Sequence, residues 1–411
     1  MPLDEIAHRM VASMTEVPHA VVVHAGARDR YQVPVAFSER GLLRAFVTNV
    51  YSERSASQRY GVHLGATEVK VSRRAELAYV FMKLWPRIDL HNRSDRWLGR
   101  KARLLAYRTG SALFACSYYA YEAFKPGSER SANRILFQIH PHPTTVRRTL
   151  REELDRTPAA RASLNSELEL RLGPSEMSNF SSEASLATAW VVASSHTRST
   201  LAENGIDPSL VHVVPYGVSA SDYPERRNPP SPASDFRVMF LGSLVQRKGL
   251  SDLLDAIRQL SSATITVCLR GRGFVDHGLL AKYKDVKLDI ALNMPRTQIV
   301  AELQRSDLLI LPSLEEGFGH AVLEAMSCGV PVLATDRTCA PDLIEDRVHG
   351  FIVPVRDPES IAARITWALD NRPALAEMGR MAAMRARQYT WERFRAGICA
   401  AYKDAVQPAT L

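Results

Sequence analysis

The sequence predicts an α/β protein of two doubly wound, Rossmann-like units. Short β-branched runs alternate with amphipathic helical patterns along most of the chain, and strand, helix, strand in that order builds a parallel sheet with right-handed crossovers. A Pro-, Ser- and charge-rich stretch, PYGVSASDYPERRNPPSPASD, breaks the pattern at about 215–235; with no apolar period, it reads as a linker. The total of 411 residues is enough for two full cores. The expected division is 1–215 as the first unit, 216–235 as the linker, 236–388 as the second unit, and 389–411 as a closing helix for which a return to the first unit is open.

The second unit is the more regular. FRVMFLG reads as a strand, GLSDLLDAIRQL as an amphipathic helix and ATITVCLRG as the next strand. TQIVAELQRS is helical, DLLILPS is a buried strand, GHAVLEAMSCG is a helix ended by Gly329, and VPVLATD is another strand. In the first unit, HAVVVHAG, GLLRAFVTNVY, ALFACSYYAY, RILFQIH and TAWVVASS read as strands or strand-rich segments. WERFRAGICAAYKDAV closes the chain as a helix. Ligands of such sheets lie beyond the C-terminal strand edges.

Composition excludes several classes. With 46% apolar and 23% charged residues, the chain is neither fibrous nor largely disordered. The five cysteines are scattered without a C-x-x-C pair or a zinc-ligand His cluster, which points to a reducing compartment. The opening MPLDEIAHRM is acidic and polar, unlike a secretory signal, and no run has the length of a membrane span. The expectation is a cytoplasmic protein. The net charge of +8 suggests an anionic partner. Residues 70–108 alone carry that excess, with Lys70, Arg73, Arg74, Lys83, Arg87, Arg93, Arg96, Arg100, Lys101, Arg103 and Arg108 against Glu76, Asp89 and Asp95. Within them LAYVFMKLWPR interleaves Phe81, Leu84 and Trp85 with Lys83 and Arg87. A solvated face is the plain reading, and peripheral contact with an anionic membrane at its inner face is the functional one.

The chemistry concentrates in Asp307–Asp336, DLLILPSLEEGFGHAVLEAMSCGVPVLATD. A buried strand runs into a loop holding Glu315, Glu316, Gly317, Phe318 and Gly319, and a helix starts near His320. Free amides at that helix start face the ligand edge of the sheet, and glycines on both sides of Phe318 let the backbone approach an anion closely. Glu324 follows Glu316 by eight residues, so one carboxylate from the loop and one from the helix can face a single pocket. An isolated pair at this spacing means little; the loop and helix around it give it weight.

Glu-x7-Glu inside EGFG-xxx-LEAM-xx-G-xPV, with GSLVQRKG upstream, resembles the retaining glycosyltransferases of the GT-B fold, family 4 or group 1. The resemblance is dense from about 236 to 392 and thinner before, where HAGARDRYQ, FQIHPHP and VVPYGV carry it. It implies two Rossmann-like domains facing across a cleft and a nucleotide diphosphate sugar, UDP- or GDP-linked, as co-substrate. Glu324 would accept from the donor ribose hydroxyls. Glu316 would contact the transferred sugar beside the Gly317, Phe318 and Gly319 backbone, and Lys248 would offset diphosphate charge as the leaving group departs. Where the family often has an arginine this chain has Ser243, and Arg247 stands as a substitute. His140 would serve at the donor sugar or the acceptor site, with His142 as a rival, and Gly26 would contact the diphosphate from the opposite wall. Retention of configuration is likewise implied by the resemblance. No metal motif of the DxD type suits this fold, so no obligatory divalent ion is expected.

The implied activity is sugar transfer to a hydroxyl acceptor, lipid-linked or otherwise anionic, in cell-surface polysaccharide or glycolipid synthesis. A nucleotide-sugar epimerase of the same fold is the alternative. A basic nucleic-acid-binding protein is a third reading, but no RNP-like or helix-turn-helix pattern supports it and no nucleic acid partner is expected. Arg270-Gly271-Arg272-Gly273 is no dinucleotide fingerprint, since Asp276 stands where the third glycine belongs. Trp391 reads as core packing rather than a sugar platform.

Overall fold

The computed structural model describes residues 17–65, 68–85, 91–127, 133–231, 234–260 and 265–407. The opening decapeptide, Arg87 and Asp89 therefore lie outside the described residues. Two sheets, all parallel, organise the chain. The first holds β1 (Ala20–Val23), β2 (Leu43–Thr48), β3 (Val69–Val71), β4 (Ala112–Cys116), β5 (Arg134–Gln138), β6 (Ala189–Val192) and β7 (Val211–Val213), in the order β3-β2-β1-β4-β5-β6-β7. The second holds β8 (Phe236–Leu241), β9 (Ile265–Gly271), β10 (Leu288–Leu292), β11 (Leu308–Leu311), β12 (Val332–Thr335) and β13 (Gly350–Val353), in the order β10-β9-β8-β11-β12-β13. Both are doubly wound. The strand order reverses between β1 and β4 in one sheet and between β8 and β11 in the other, and the crevice beyond such a reversal is where ligands of open α/β sheets bind.

Strands buried on both faces read as continuous apolar runs. β1, β4, β11 and β12 are buried at every position. Their helices cover both faces, and the strand register puts β1 beside β4 through the pairs Val22–Phe114 and Val23–Ala115. β3, β7, β10 and β13 were not expected from the sequence; two of them are only three residues long and β10 is an incompletely buried edge strand.

The segment 216–235 is not the free tether its composition suggests. Tyr216, Val218 and Tyr223 are buried in the main core, the Tyr216 hydroxyl donates to Asp29 at 2.9 Å, and the Tyr223 hydroxyl donates to Glu324 at 2.6 Å. Two aromatic bodies with polar tips and one aliphatic side chain hold it down, a packing that no local period announces. The chain then crosses back. The helix Trp391–Val406 lies on the helix Gln32–Ser38, with Phe37 and Tyr402 ring to ring, and Arg395 donates to Gln32 and Glu39. Trp391 is buried against Tyr216 and Phe394.

The two units share more than a crevice. Val146, Leu150, Ala160 and Leu164, on helices that follow β5, are buried in one cluster with Phe236, Leu250 and Leu254 of the second unit. Beside them, Arg156 bridges Glu153 and Asp252, and Arg356 reaches back to Glu153 at 3.1 Å. Burying aliphatic side chains of this size contributes roughly 1.5–3 kcal/mol each, so these helices are held by the second unit's core.

Candidate functional site at the facing sheet edges

The loop after β11 and the turn after β8 meet at the second reversal point. Gly249, at φ +71°, ends the Gln246–Lys248 turn and opens the helix Leu250–Arg258; a β-carbon there would overlap the Pro312 carbonyl, so only glycine permits this approach. The close approach delivers Lys248 to Glu316, whose carboxylate oxygen it pairs with. Burial, with Arg247 alongside, pushes the Lys248 ammonium well below its ordinary range.

Glu316 and Glu324 are both in place at this edge. Glu324, on the helix His320–Ser327, accepts from Tyr223; burial raises its carboxyl, and Tyr223, Arg30, Arg272 and Arg296 oppose the rise. Between the two acids, no acceptor among the described residues takes the amides of Gly317, Phe318 or Gly319. Gly319 has φ +88°. Donors so placed, at the start of a helix, suit an anion. The Phe318 ring itself is core, packed edge-on to Tyr216 with centroids 5.2 Å apart.

The opposite wall comes from the first unit. His140 follows β5, and its ring lies 5.3 Å from Tyr118 centroid to centroid. Burial first, then Arg28, Arg247 and Lys248, depress its pKa to about 3, so the imidazole is neutral at physiological pH. Gly317 sits directly against the Ile139 carbonyl and His140 backbone, and its own carbonyl accepts from Ser194 at 2.7 Å and Thr197 at 3.2 Å. The structure thus brings His140, Lys248, Arg247, Glu316 and Gly317 together. Gly26 is at φ +58° after β1, but its amide donates to Asn49 at 2.9 Å, so a diphosphate there would have to displace that side chain. Arg247 is also engaged: Nε pairs with Glu167 at 3.0 Å and Nη1 donates to the Glu315 carbonyl. His142 caps the helix Pro143–Arg156 and meets Ser181, a backbone role.

Several residues that the sequence reading did not single out complete the site. Arg28, two residues past Gly26, lines the same cavity, and its buried Nε has no hydrogen-bond partner among the described residues. The segment HAGARDRYQ offered that signal. Asp29, Arg30 and Tyr31 all have φ between +47° and +62°, a run of left-handed residues costing about 1–2 kcal/mol each, held by Tyr216 on Asp29 and by Asp222 on Arg30. Glu315 is buried. Burial would raise its carboxyl, but His196 at 2.8 Å, with Thr149 and Arg337, more than offsets this and holds it low. Nothing local marks Glu315 as different from Glu316; only its partners do.

A cavity of about 890 Å³ leads away from His140, Arg247 and Glu315 into the first unit, past Arg28, Tyr118 and Glu169 to Tyr79 and Asp95. Among the described residues one set, Cys268, Asp289 and Glu302, brings potential metal-ligating atoms within 4.8 Å of one another. Both carboxylates there are ion-paired to Arg270, at 2.6 Å for Asp289 and 2.5 Å for Glu302, which makes the set a structural network.

Residues 223–385 match the family described as glycosyl transferases group 1. Over that stretch, about two fifths of the chain, the protein is similar to the group 1 glycosyltransferases. Among curated relatives, the D-inositol 3-phosphate glycosyltransferase of Segniliparus rotundus is 29% identical over 223 residues, covering 50% of this chain and 49% of the relative. The putative colanic acid biosynthesis glycosyltransferase WcaL of Salmonella typhimurium is 28% identical over 173 residues, covering 39% and 42%. The chain thus spans about half the length of the curated relatives it matches. Solved structures extend the likeness of fold to nearly the whole chain. Sucrose-phosphate synthase from Thermosynechococcus elongatus superposes with a TM-score of 0.65 at 15% identity, over 95% of this chain and 99% of that one. Anabaena Alr3699/HepE in complex with UDP and glucose gives 0.61 at 16% identity, over 94% and 99%. The fold is GT-B.

Proposed function

We propose that this protein is a group 1 glycosyltransferase that moves a sugar from a nucleotide diphosphate sugar to a hydroxyl acceptor with retention of configuration, in the synthesis of a cell-surface polysaccharide or glycolipid. The observation that carries the reading is the juxtaposition at the β11 loop: unengaged amides and Lys248 between Glu316 and Glu324, with His140 directly across. Glu324 has one carboxylate oxygen on Tyr223 and the other available for ribose hydroxyls. Lys248, the Phe318 and Gly319 amides and Arg28 take the charge that grows on the diphosphate as the glycosidic bond breaks. Glu316 and neutral His140 hold the sugar's hydroxyls, and the acceptor enters from the first unit's cavity on the face the diphosphate leaves. A diphosphate oxygen then accepts the acceptor's proton. The curated relatives named for colanic acid and inositol phosphate transfer support the biosynthetic setting, and the neighbour holding UDP supports a UDP-linked donor.

A thermal-shift panel of UDP-, GDP- and ADP-linked sugars tests it. One donor class should raise the melting temperature, and Glu324→Ala should abolish the rise. Rearrangement of the donor in the absence of any acceptor would favour an epimerase instead.

A further inference from the structure

The helix Arg73–Leu84 carries two apolar faces. Ala75 and Ala78 are buried, and Ala75 joins Leu98, Ala102 and Ala106 of the helix His91–Thr109 in one cluster. The second face is Leu77, Val80, Phe81 and Leu84, spaced i, i+3, i+4, i+7, which is the stripe a helix normally turns inward. Here it is turned out: Leu77 is 68% exposed, Leu84 64%, and Trp85 just beyond them 52%. The bulky residues lie on the open side and the small ones pack. Phe81 and Trp85 rest on each other with ring centroids 4.6 Å apart. Arg73, Arg74 and Lys83 on the same helix are exposed, as are Arg93, Arg96 and Arg100 on its neighbour. An exposed apolar stripe of this size marks a surface that something covers.

We infer that the Leu77–Val80–Phe81–Leu84 face docks on an anionic lipid surface. A charge excess of +8 within 70–108 chooses this occupant over a neutral apolar partner, since each cation near an anionic bilayer adds attraction while the apolar stripe enters the acyl boundary. A second copy of the chain would set like charges against each other across the contact. The face also adjoins the cavity that starts at His140: Tyr79 of this helix and Asp95 of its neighbour line the far end. Docking would therefore open that end toward the lipid, and a lipid-linked acceptor would reach the site without leaving the bilayer. The link to the acceptor rests on the glycosyl-transfer reading; the docking itself does not.

Vesicle flotation of the full chain tests it, with phosphatidylcholine alone or mixed with phosphatidylglycerol. Binding to the mixed vesicles should be at least about tenfold tighter and should weaken with salt. The triple variant Leu77→Ser, Phe81→Ser, Leu84→Ser should lose about tenfold or more of that binding while keeping its melting temperature. Equal binding to both vesicle types, or a triple variant that floats like the parent, would overturn the inference. So would a parent dimer in sedimentation that the three substitutions convert to monomer. The nucleotide-sugar thermal shift, run on both proteins without vesicles, reads the donor site separately: its failure counts against the transfer reading and leaves the flotation result standing.

Discussion

Gly317 lies against the carbonyl oxygen of Ile139, closer than any β-carbon could. The contact joins the acid-bearing loop of one unit to the segment after β5 that carries His140 in the other. Gly317→Ala must therefore separate the two walls or distort one of them. Expected is a stability loss of about 1–3 kcal/mol and a larger loss of turnover than of donor affinity, read by thermal unfolding beside initial rates.

On the proposed reading, Lys248→Ala and Glu324→Gln remove charge-assisted contacts to opposite ends of the donor. Such contacts are worth roughly 1.5–3 kcal/mol, so donor affinity should fall by about tenfold to a hundredfold in each variant. Calorimetric titration with the donor found in the thermal-shift panel checks this. An unchanged dissociation constant would remove both residues from the site.

Glu183 gives the molecule a pH-dependent stability term. It is buried and accepts from the amides of Tyr118, Ala120 and Tyr121, at 2.8 to 3.0 Å, fixing the turn that sets Tyr118 beside His140. Burial nevertheless raises its pKa from 4.5 to about 7. The folded state then binds more protons than the unfolded one between those values, so this residue's contribution falls as pH rises from about 4.5 to 7 and is flat above, by up to about 3 kcal/mol. Melting temperatures across that range should show the wild-type slope reduced in Glu183→Gln.

Chelation should not silence the proposed transfer. On that reading Lys248 and backbone amides neutralise the diphosphate in place of a cation, and the Asp289 and Glu302 carboxylates of the Cys268–Asp289–Glu302 set are ion-paired to Arg270. Transfer measured with and without EDTA should agree; complete loss would overturn this.

Glu315 is the anchor of its loop. Glu315→Ala would strand His196 and Arg337 beside a buried gap. Removing one member of a buried charged group costs about 3–5 kcal/mol, which chemical denaturation can measure.

The central strands were legible because burial on both faces leaves a run such as Leu308–Leu311 with no polar residue at all. Val69–Val71 and Val211–Val213 are too short to show a period, and the incompletely buried strand Leu288–Leu292 alternates only loosely. At the site, Glu316 and Glu324 could be paired because one sits in the loop after a buried strand and the other eight residues on in the following helix, whereas Lys248 was reached only through the resemblance of GSLVQRKG. HAGARDRYQ gave Arg28 a weak signal, whereas Tyr223 had none, since its position depends on how two distant segments pack. The same holds for 216–235: Tyr216, Val218 and Tyr223 are buried by surfaces remote in sequence.

The two passages of backbone between the units run side by side. The Val218 amide donates to the Tyr389 carbonyl at 2.9 Å, and Gly217 is pressed against Thr390. A single strand would let the halves swivel freely, whereas this paired ribbon defines an axis. Any breathing of the crevice must bend both passages at once, as a door moves on two pins, and its direction is set by that paired backbone.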